Sequence, residues 1–438
     1  MSESRVSESG APRPESGAPQ DAAASPATVP PAPVPPGTVP PALRRARFAV
    51  AVLFFTNGAI FANLLPEYPA IKSGLDLTNA RFGVAVAAFP AGALLAGLAA
   101  GVLIRRFRSS CVAVAGTLLT GVGVFVAGGA GSWALLALGL LVAGAMDAIT
   151  DVAQNAHGLR VQRRYGRSIL NSFHAVWSIG AVTGGLMGAA AVASGMSVRW
   201  HLGISAALFT LLALGSLRYL LPGPEGSDQA EPEHAQPRGT AVPAAAWARV
   251  VTLGALVVIA ASGSVVEDSG SSWAALYLHD DLGASLSLAA FGFVALTGAQ
   301  FVGRLIGDRM VDRFGQRAVA RAGGVLVTVG MGLALAFPSV PGTIAGFALA
   351  GFGVATLVPA AMHGADMIPG LKPGTGLAVL GWLMRLGFLL SPPVVGLISD
   401  ATSLRVALLV VPLAGLAVVL AAGVLAGRRE VFRRQVRA

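Results

Sequence analysis

"LSLAAFGFVALTGAQFVGRLIGDRMVDRFGQR", residues 286–317, runs from Leu286 to Gly303 without a charge and then breaks into alternating arginines and aspartates. A helix needs roughly 20 apolar residues to cross a hydrocarbon core of about 30 Å, so this stretch reads as one membrane crossing followed by a charged loop. The pattern recurs along the chain. Working outward, twelve spans are expected, at 48–70, 80–104, 112–131, 133–156, 169–194, 202–221, 250–278, 286–308, 318–337, 343–363, 376–399 and 405–427. Bulk composition agrees: 54% of residues are hydrophobic, 12% are charged and the mean hydropathy is +0.70, a profile that needs lipid as its solvent.

The net charge of +10 is distributed by topology. Arginines cluster at 44–47, 105–108, 160–167, 309–321 and 428–437, whereas the alternate loops hold little beyond Lys72, Arg81, Arg199 and Arg405. An excess of basic residues on one side marks cytoplasmic loops, so the expected location is a multi-pass protein of the cytoplasmic membrane with both termini inside. No basic recognition element is formed, which argues against a nucleic-acid partner. Residues 1–43 are rich in Pro and Ala, as in "ATVPPAPVPPGTVPPA", and read as a disordered cytoplasmic tail. Arg44, Arg45 and Arg47 precede a full-length span, which marks a retained first helix and not a cleaved leader. The single cysteine, Cys111, has no partner for an internal disulfide.

The chain aligns with itself at a shift of about 205–209 residues. Tyr68 pairs with Tyr277, Phe82-Gly83 with Phe291-Gly292, Arg106-Phe107 with Arg313-Phe314, His157-Gly158 with His363-Gly364 and Gly188 with Gly396, with Trp177 near Trp382. Internal repeats of this kind are a signature of transporters, and six helices per repeat give both halves one orientation about an axis along the membrane normal. The expected organisation is a six-helix bundle over 44–221, a cytoplasmic linker over 222–248, a second six-helix bundle over 249–427 and a basic cytoplasmic tail over 428–438. The fold class is therefore all-α integral membrane, with twelve transmembrane helices in two six-helix bundles.

"GRLIGDRMVDRFGQR", with Asp312, Arg313, Gly315 and Arg317 in place, resembles the loop between the second and third helices that marks the major facilitator superfamily. The N-terminal copy, "GVLIRRFRSS", has Arg105 where the family has Asp and Arg108 where it has Gly. "DVAQNAHG", "GRSILNSFHAVWSIGA", "SGSSWAALYLHDDLGAS" and "LGFLLSPPVVG" are similar to the MosC/YbjJ-like branch, itself distantly similar to fucose permeases. The resemblance implies the major facilitator fold, alternating access, and proton-driven or facilitated movement of a small polar solute such as a sugar or inositol derivative, by a monomer. The first helix departs from the fucose-permease pattern, offering Asn57 and Asn63 in place of an acid, with Glu67 only at its outer end, and Ser272 stands where the branch tends to have Asp before Trp273.

A charged group at the centre of a membrane helix costs about 2.5–3.5 kcal/mol, so ionisable residues inside spans are the primary site candidates. In the fourth span Asp147, Asp151 and Asn155 share one face at i, i+4, i+8, with Gln154 beside them. Asp151 matches the acid of the permease pattern and is the first candidate for coupling to protons, with Asp147 deeper in the membrane as the reserve. The alternative for Asp151 is a pairing with Arg160, Arg163 or Arg164. In the fifth span Asn171, His174, Trp177 and Ser178 form a polar-aromatic face, and His174 aligns with a substrate-contacting amide of the permease pattern. The seventh span reads "SGSVVEDSGSSW", and its Gly and Ser content suggests a local break that would place Glu267 at the cavity as substrate ligand and second coupling carboxylate, with Asp268 in the outer vestibule. Trp273, Gln300 and Trp382 add aromatic and amide candidates, with core packing as their alternative. Arg304, Asp308, Asp312 and Arg313 are the gating candidates; the first three lie at i, i+4, i+8 and can pair among themselves or across the halves. Arg385 needs a carboxylate from another helix or an anionic solute.

The expected partners are a small solute, protons and the bilayer, with no cofactor and no metal. An enzyme is disfavoured because no His/Cys metal set, Gly-x-Ser-x-Gly elbow or phosphate-cradling loop with Lys occurs. A channel is disfavoured because no repeated selectivity-loop signature occurs. A drug or metabolite exporter of the same fold and a non-transporting membrane sensor stay open as alternatives. Removing residues 1–40 should leave membrane insertion and any transport unchanged, as judged by detergent-extracted folded yield; loss of folded protein would show that the tail docks on the core.

Overall fold

The computed structural model describes residues 39–97, 99–166, 169–223, 246–368 and 375–425. Twelve helices in it are long and apolar enough to span a membrane: α1 Pro41–Gly74, α2 Asn79–Gly97, α3 Ser109–Gly128, α4 Trp133–Tyr165, α5 Ser172–Ala193, α6 Val198–Leu217, α7 Trp247–Asp281, α8 Leu286–Phe314, α9 Gln316–Ala336, α10 Val340–Asp366, α11 Val379–Ala401 and α12 Leu404–Val424. No strand occurs among the described residues. Helix is the form that satisfies every backbone group within one segment, as lipid requires. Most of the linker 222–248 and of the tail 1–43, and all of 428–438, lie outside the described residues, and α1 already begins at Pro41, with proline in its first turn.

The expected second span is divided. Its helix ends at Gly97, and Ala100–Phe107 forms a separate short helix carrying Arg105 and Arg106. The fourth span runs beyond its expected end to Tyr165, so its last turns carry Arg163 and Arg164 past the apolar run. The break expected in the seventh span does not occur; helix is continuous over Ala246–Leu276 and passes into one π-helical turn, Tyr277–Asp281. Two of its serines return their hydroxyls to carbonyls four residues back, Ser264 to Ala260 and Ser271 to Glu267, without opening the helix. Its glycine at 270 serves close packing instead, since a Cβ there would collide with Leu296 of α8.

Packing within the halves obeys the repeat. In the first half α2 packs on α4, α3 on α4 and α6, and α1 on α5 and α6; in the second, α8 packs on α10, α9 on α10 and α12, and α7 on α11 and α12. Gly144 of α4 lies so close to α2 that a Cβ would press into the Phe89 carbonyl, and 207 residues later Gly351 of α10 stands against the carbonyl of Leu296 in α8. The halves meet through α2 against α11 and α5 against α8. Inside the first half a buried cluster ties α1 to α6: His201 places Nδ1 2.7 Å from Glu67 and Nε2 2.9 Å from Asn63, which also accepts from Ser205. Asn63 donates its Nδ2 to the Ala59 carbonyl, so its oxygen faces the ring and both ring nitrogens meet acceptors.

Polar contacts between the halves gather at the end of the bundle remote from Pro41. Lys72 pairs with Asp280 at 3.0 Å, and Asp400 at the end of α11 accepts from the backbone N–H groups of Asn79 (2.9 Å) and Ala80 (2.8 Å), capping the start of α2 from the opposite half. Asn79 Nδ2 donates to Ser399. At the other end Asp151, His174, Arg304, Asp308 and Arg385 are exposed.

The two loops of the superfamily-like motif adopt one backbone shape with different residues. Gly315 has φ 85° and Arg108, 207 residues earlier, has φ 69° and ψ 145°. That region is open to glycine and costs another residue on the order of 1–3 kcal/mol. Arg108→Gly should therefore raise thermal stability, by about 1 kcal/mol after the larger unfolded-state entropy of glycine is subtracted, while Gly315→Ala should lower it. Equal melting of wild type and Arg108→Gly would show that the loop is unstrained.

Candidate functional site

A cavity of about 330 Å³ lies between the halves. Asn57 and Phe61 of α1, Phe89 of α2, Asp147 of α4 and Trp177 of α5 line it from one side. From the other come Glu267, Asp268, Ser271 and Ser272 of α7, Phe293, Thr297 and Gln300 of α8, and Met384, Arg385 and Phe388 of α11. Its wall is largely aromatic and aliphatic, with a few charged and amide groups, the usual composition of a small-molecule pocket.

Asn57 organises the first half. Its Nδ2 donates to Asp147 Oδ1 at 2.7 Å, and its Oδ1 accepts from Trp177 Nε1 at 2.9 Å and Gln154 Nε2 at 3.3 Å. Three helices are thus joined through one amide. Gln154 also reaches Asp151 Oδ1 at 3.4 Å, and Asn155 Nδ2 donates to the same oxygen at 2.9 Å and to the Asp151 carbonyl at 2.8 Å. The face read from i, i+4, i+8 spacing is therefore one connected network, but only Asp147 of its carboxylates lines the cavity. Asp151 lies one turn further toward the open end and is exposed, and no ion pair joins it to Arg160, Arg163 or Arg164 among the described residues. Arg160 instead donates to the Pro222 carbonyl.

In the second half Gln300 Nε2 donates to Glu267 Oε2 at 3.1 Å, placing both expected residues in the cavity wall. Other candidates fall elsewhere. Trp273 is fully buried, lies edge-on to Phe82 of the other half with ring centroids 5.9 Å apart, and is not among the residues lining the cavity. Trp382 is 58% exposed and outside the lining. His174 is exposed and packs edge-on against Phe54, and Asn155 is committed to Asp151. The side chain of Asn171 lies outside the described residues.

The internal pairing expected of Arg304, Asp308 and Asp312 is not formed; these residues and Arg313 are exposed on α8, and no ion pair joins them among the described residues. Water at that end leaves little net gain for such pairs. Asp268, assigned to an outer vestibule, is instead buried and lines the cavity. Helical phase placed Glu267 and Asp268 on adjacent positions but carried no information on which neighbour each would face. Depth along an unbroken α7 was the missing signal. The Glu67–His201 pair was likewise out of reach, because its partners are 134 residues apart.

Two pseudo-symmetric helical halves around a central polar-aromatic cavity define a membrane transporter fold. The sequence profile of the Major Facilitator Superfamily matches residues 50–310 and 268–438, and the chain belongs to that superfamily. It is similar to an uncharacterized transporter of Sinorhizobium fredii (31% identity over 292 residues, 66% of this chain and 74% of the relative) and to the membrane protein MosC of Rhizobium meliloti (36% over 154 residues, 35% of this chain and 38% of the relative). Among solved structures, the D-xylose-proton symporter matches with a TM-score of 0.65 at 16% identity, covering 87% of this chain and 96% of that one. The transporter FucP in its outward conformation matches with a TM-score of 0.56 at 19% identity, covering 87% and 99%.

If the Asn57–Trp177 hydrogen bond contributes to holding α1 on α5, a double-mutant cycle of Asn57→Ala and Trp177→Phe should give a coupling energy of about 0.6–1.7 kcal/mol in reversible unfolding. Additive effects would assign both residues to packing alone.

Proposed function

We propose that the chain is a secondary active transporter that carries a small polar solute across the cytoplasmic membrane by alternating access, coupled to protons through Asp147. The observation that carries this reading is the cavity itself: it lies between two repeated halves that are latched by polar contacts at one end and display exposed charge at the other. With both termini cytoplasmic, as the arginine distribution argues, this is a form facing the cytoplasm. Rocking of the halves would part Lys72 from Asp280 and Asp400 from the start of α2, and would bring Arg304, Asp308, Asp312 and Arg313 toward the opposite half. Nothing in this scheme asks for catalysis, and a monomer contains the whole pathway.

Solved structures of the same fold include a D-xylose-proton symporter and a nucleoside transporter, which supports polar solutes and proton coupling here. Coupling needs a group whose charge changes as the carrier reorients, inside a cavity that closes over it. Asp147 meets that condition, lining the cavity with one oxygen held by Asn57. Asp151, the first candidate from the sequence, is exposed and held by Gln154 and Asn155, which favours a supporting role in the same network.

The test is uptake into proteoliposomes of radiolabelled uridine, D-xylose, L-fucose and myo-inositol under an inward proton gradient. Asp147→Asn should abolish gradient-driven accumulation and keep counterflow exchange, while Asp151→Asn should retain accumulation. The reverse outcome would return the coupling role to Asp151, and no uptake of any probe would count against a carrier of polar solutes.

A further inference from the structure

We propose that the short helix Ala100–Phe107 and the turn after it form a docking surface for the phosphate of an anionic lipid in the cytoplasmic leaflet, held by Arg105, Arg106 and Arg108. The inference does not depend on which solute the cavity carries.

The helix has two faces. Ala100 and Ile104 are buried in one cluster with Leu43 and Ala46 of α1 and Val112 and Ala113 of α3, which fixes the helix against the bundle. Val102, at 58%, and Phe107, at 51%, are exposed together with all three arginines. A short helix at the end of a span, with apolar and arginine side chains together on its outer side, has the composition of one that lies in the membrane interface. Arginine stems remain in apolar surroundings there while the guanidinium groups reach the headgroups.

Among the described residues nothing neutralises these charges. The three side chains make no hydrogen bond or ion pair there; Arg106 only rests over the ring of Phe107, 5.6 Å from its centroid. Within 44–221 the acids are Glu67 and Asp76, toward the outer end, and Asp147 and Asp151, on the cavity face of α4, so the inner rim of this half carries arginines without a carboxylate. The matching rim of the second half differs. At the offset of 207 residues Arg105 corresponds to Asp312 and Arg108 to Gly315, so the first half has guanidinium groups where the second has an acid and a glycine.

Arg108 also keeps its side chain at φ 69°, in a region that favours glycine. A side chain held at such a position points to a contact that the fold itself does not require. The contact that fits is a phosphodiester without a cation of its own, because guanidinium groups match phosphate oxygens in geometry and charge. Each basic residue near an anionic leaflet strengthens association about fivefold. A phosphocholine headgroup brings its own cation and adds no net charge to the pairing.

The full chain is reconstituted in phosphatidylcholine bilayers with a bimane on Cys111, the single cysteine, which is exposed three residues beyond Arg108. Quenching by brominated phosphatidylglycerol against brominated phosphatidylcholine gives the relative affinity for the two headgroups. Wild type should prefer phosphatidylglycerol about fivefold or more. Arg105→Gln/Arg106→Gln should lower that preference at least threefold, and Arg108→Gly about twofold. Arg309→Gln/Arg321→Gln, the same change of charge on exposed positions of the second half, should leave it unchanged. Inorganic phosphate at constant ionic strength should not relieve the quenching.

Equal quenching by the two lipids in wild type, an unchanged preference in Arg105→Gln/Arg106→Gln, or an equal loss in Arg309→Gln/Arg321→Gln would each overturn the proposal. Relief of quenching by inorganic phosphate would assign the arginines to a soluble anion and overturn the lipid site. Should Arg105→Gln/Arg106→Gln fold poorly, Arg108→Gly carries the test, because its backbone already suits glycine, and a full preference in that variant overturns the proposal as well.

Discussion

Gly144 against the Phe89 carbonyl is the contact on which the rest of the architecture depends, together with its repeat, Gly351 against the Leu296 carbonyl. In lipid there is no water to expel, so helices associate through close van der Waals contact, and only small residues allow backbones that near. These two contacts fix α4 on α2 and α10 on α8. Each fixed pair then carries cavity residues: Phe89 and Asp147 in the first half, Phe293 and Gln300 in the second. A displaced α4 would take Asp147 away from Asn57, and the network that reaches Trp177 and Asp151 would lose its centre.

The repeat sets the frame but not the chemistry within it. Asn57 in α1 bridges α4 and α5 through one amide, whereas α7 offers two adjacent carboxylates, one served by Gln300 and the other by Ser272. The latch is unequal too. A lysine of the first half meets an aspartate of the second, and Asp400 adds a cap from the opposite half to α2, which Thr78 already caps as Ser285 caps α8. Two halves that were chemically equivalent would line the cavity symmetrically; here one presents a single acid held by an amide, and the other two adjacent acids with Arg385.

The spans, the repeat and the superfamily motif were legible because each is local or periodic. An uncharged run of bilayer length needs no partner to be recognised, and a common offset between Phe82-Gly83 and Phe291-Gly292 survives any folding detail. The face Asp147/Asp151/Asn155 was legible for the same reason. What the sequence did not disclose was the partner of each polar group. Gly and Ser in "SGSVVEDSGSSW" suggested a break because both weaken helices in water. In a packed bundle Ser264 and Ser271 bond their own helix and Gly270 admits Leu296, so the same stretch allows a continuous α7. Arg108 in a glycine conformation was visible as a departure from the motif, and the structure supplies its meaning as local strain.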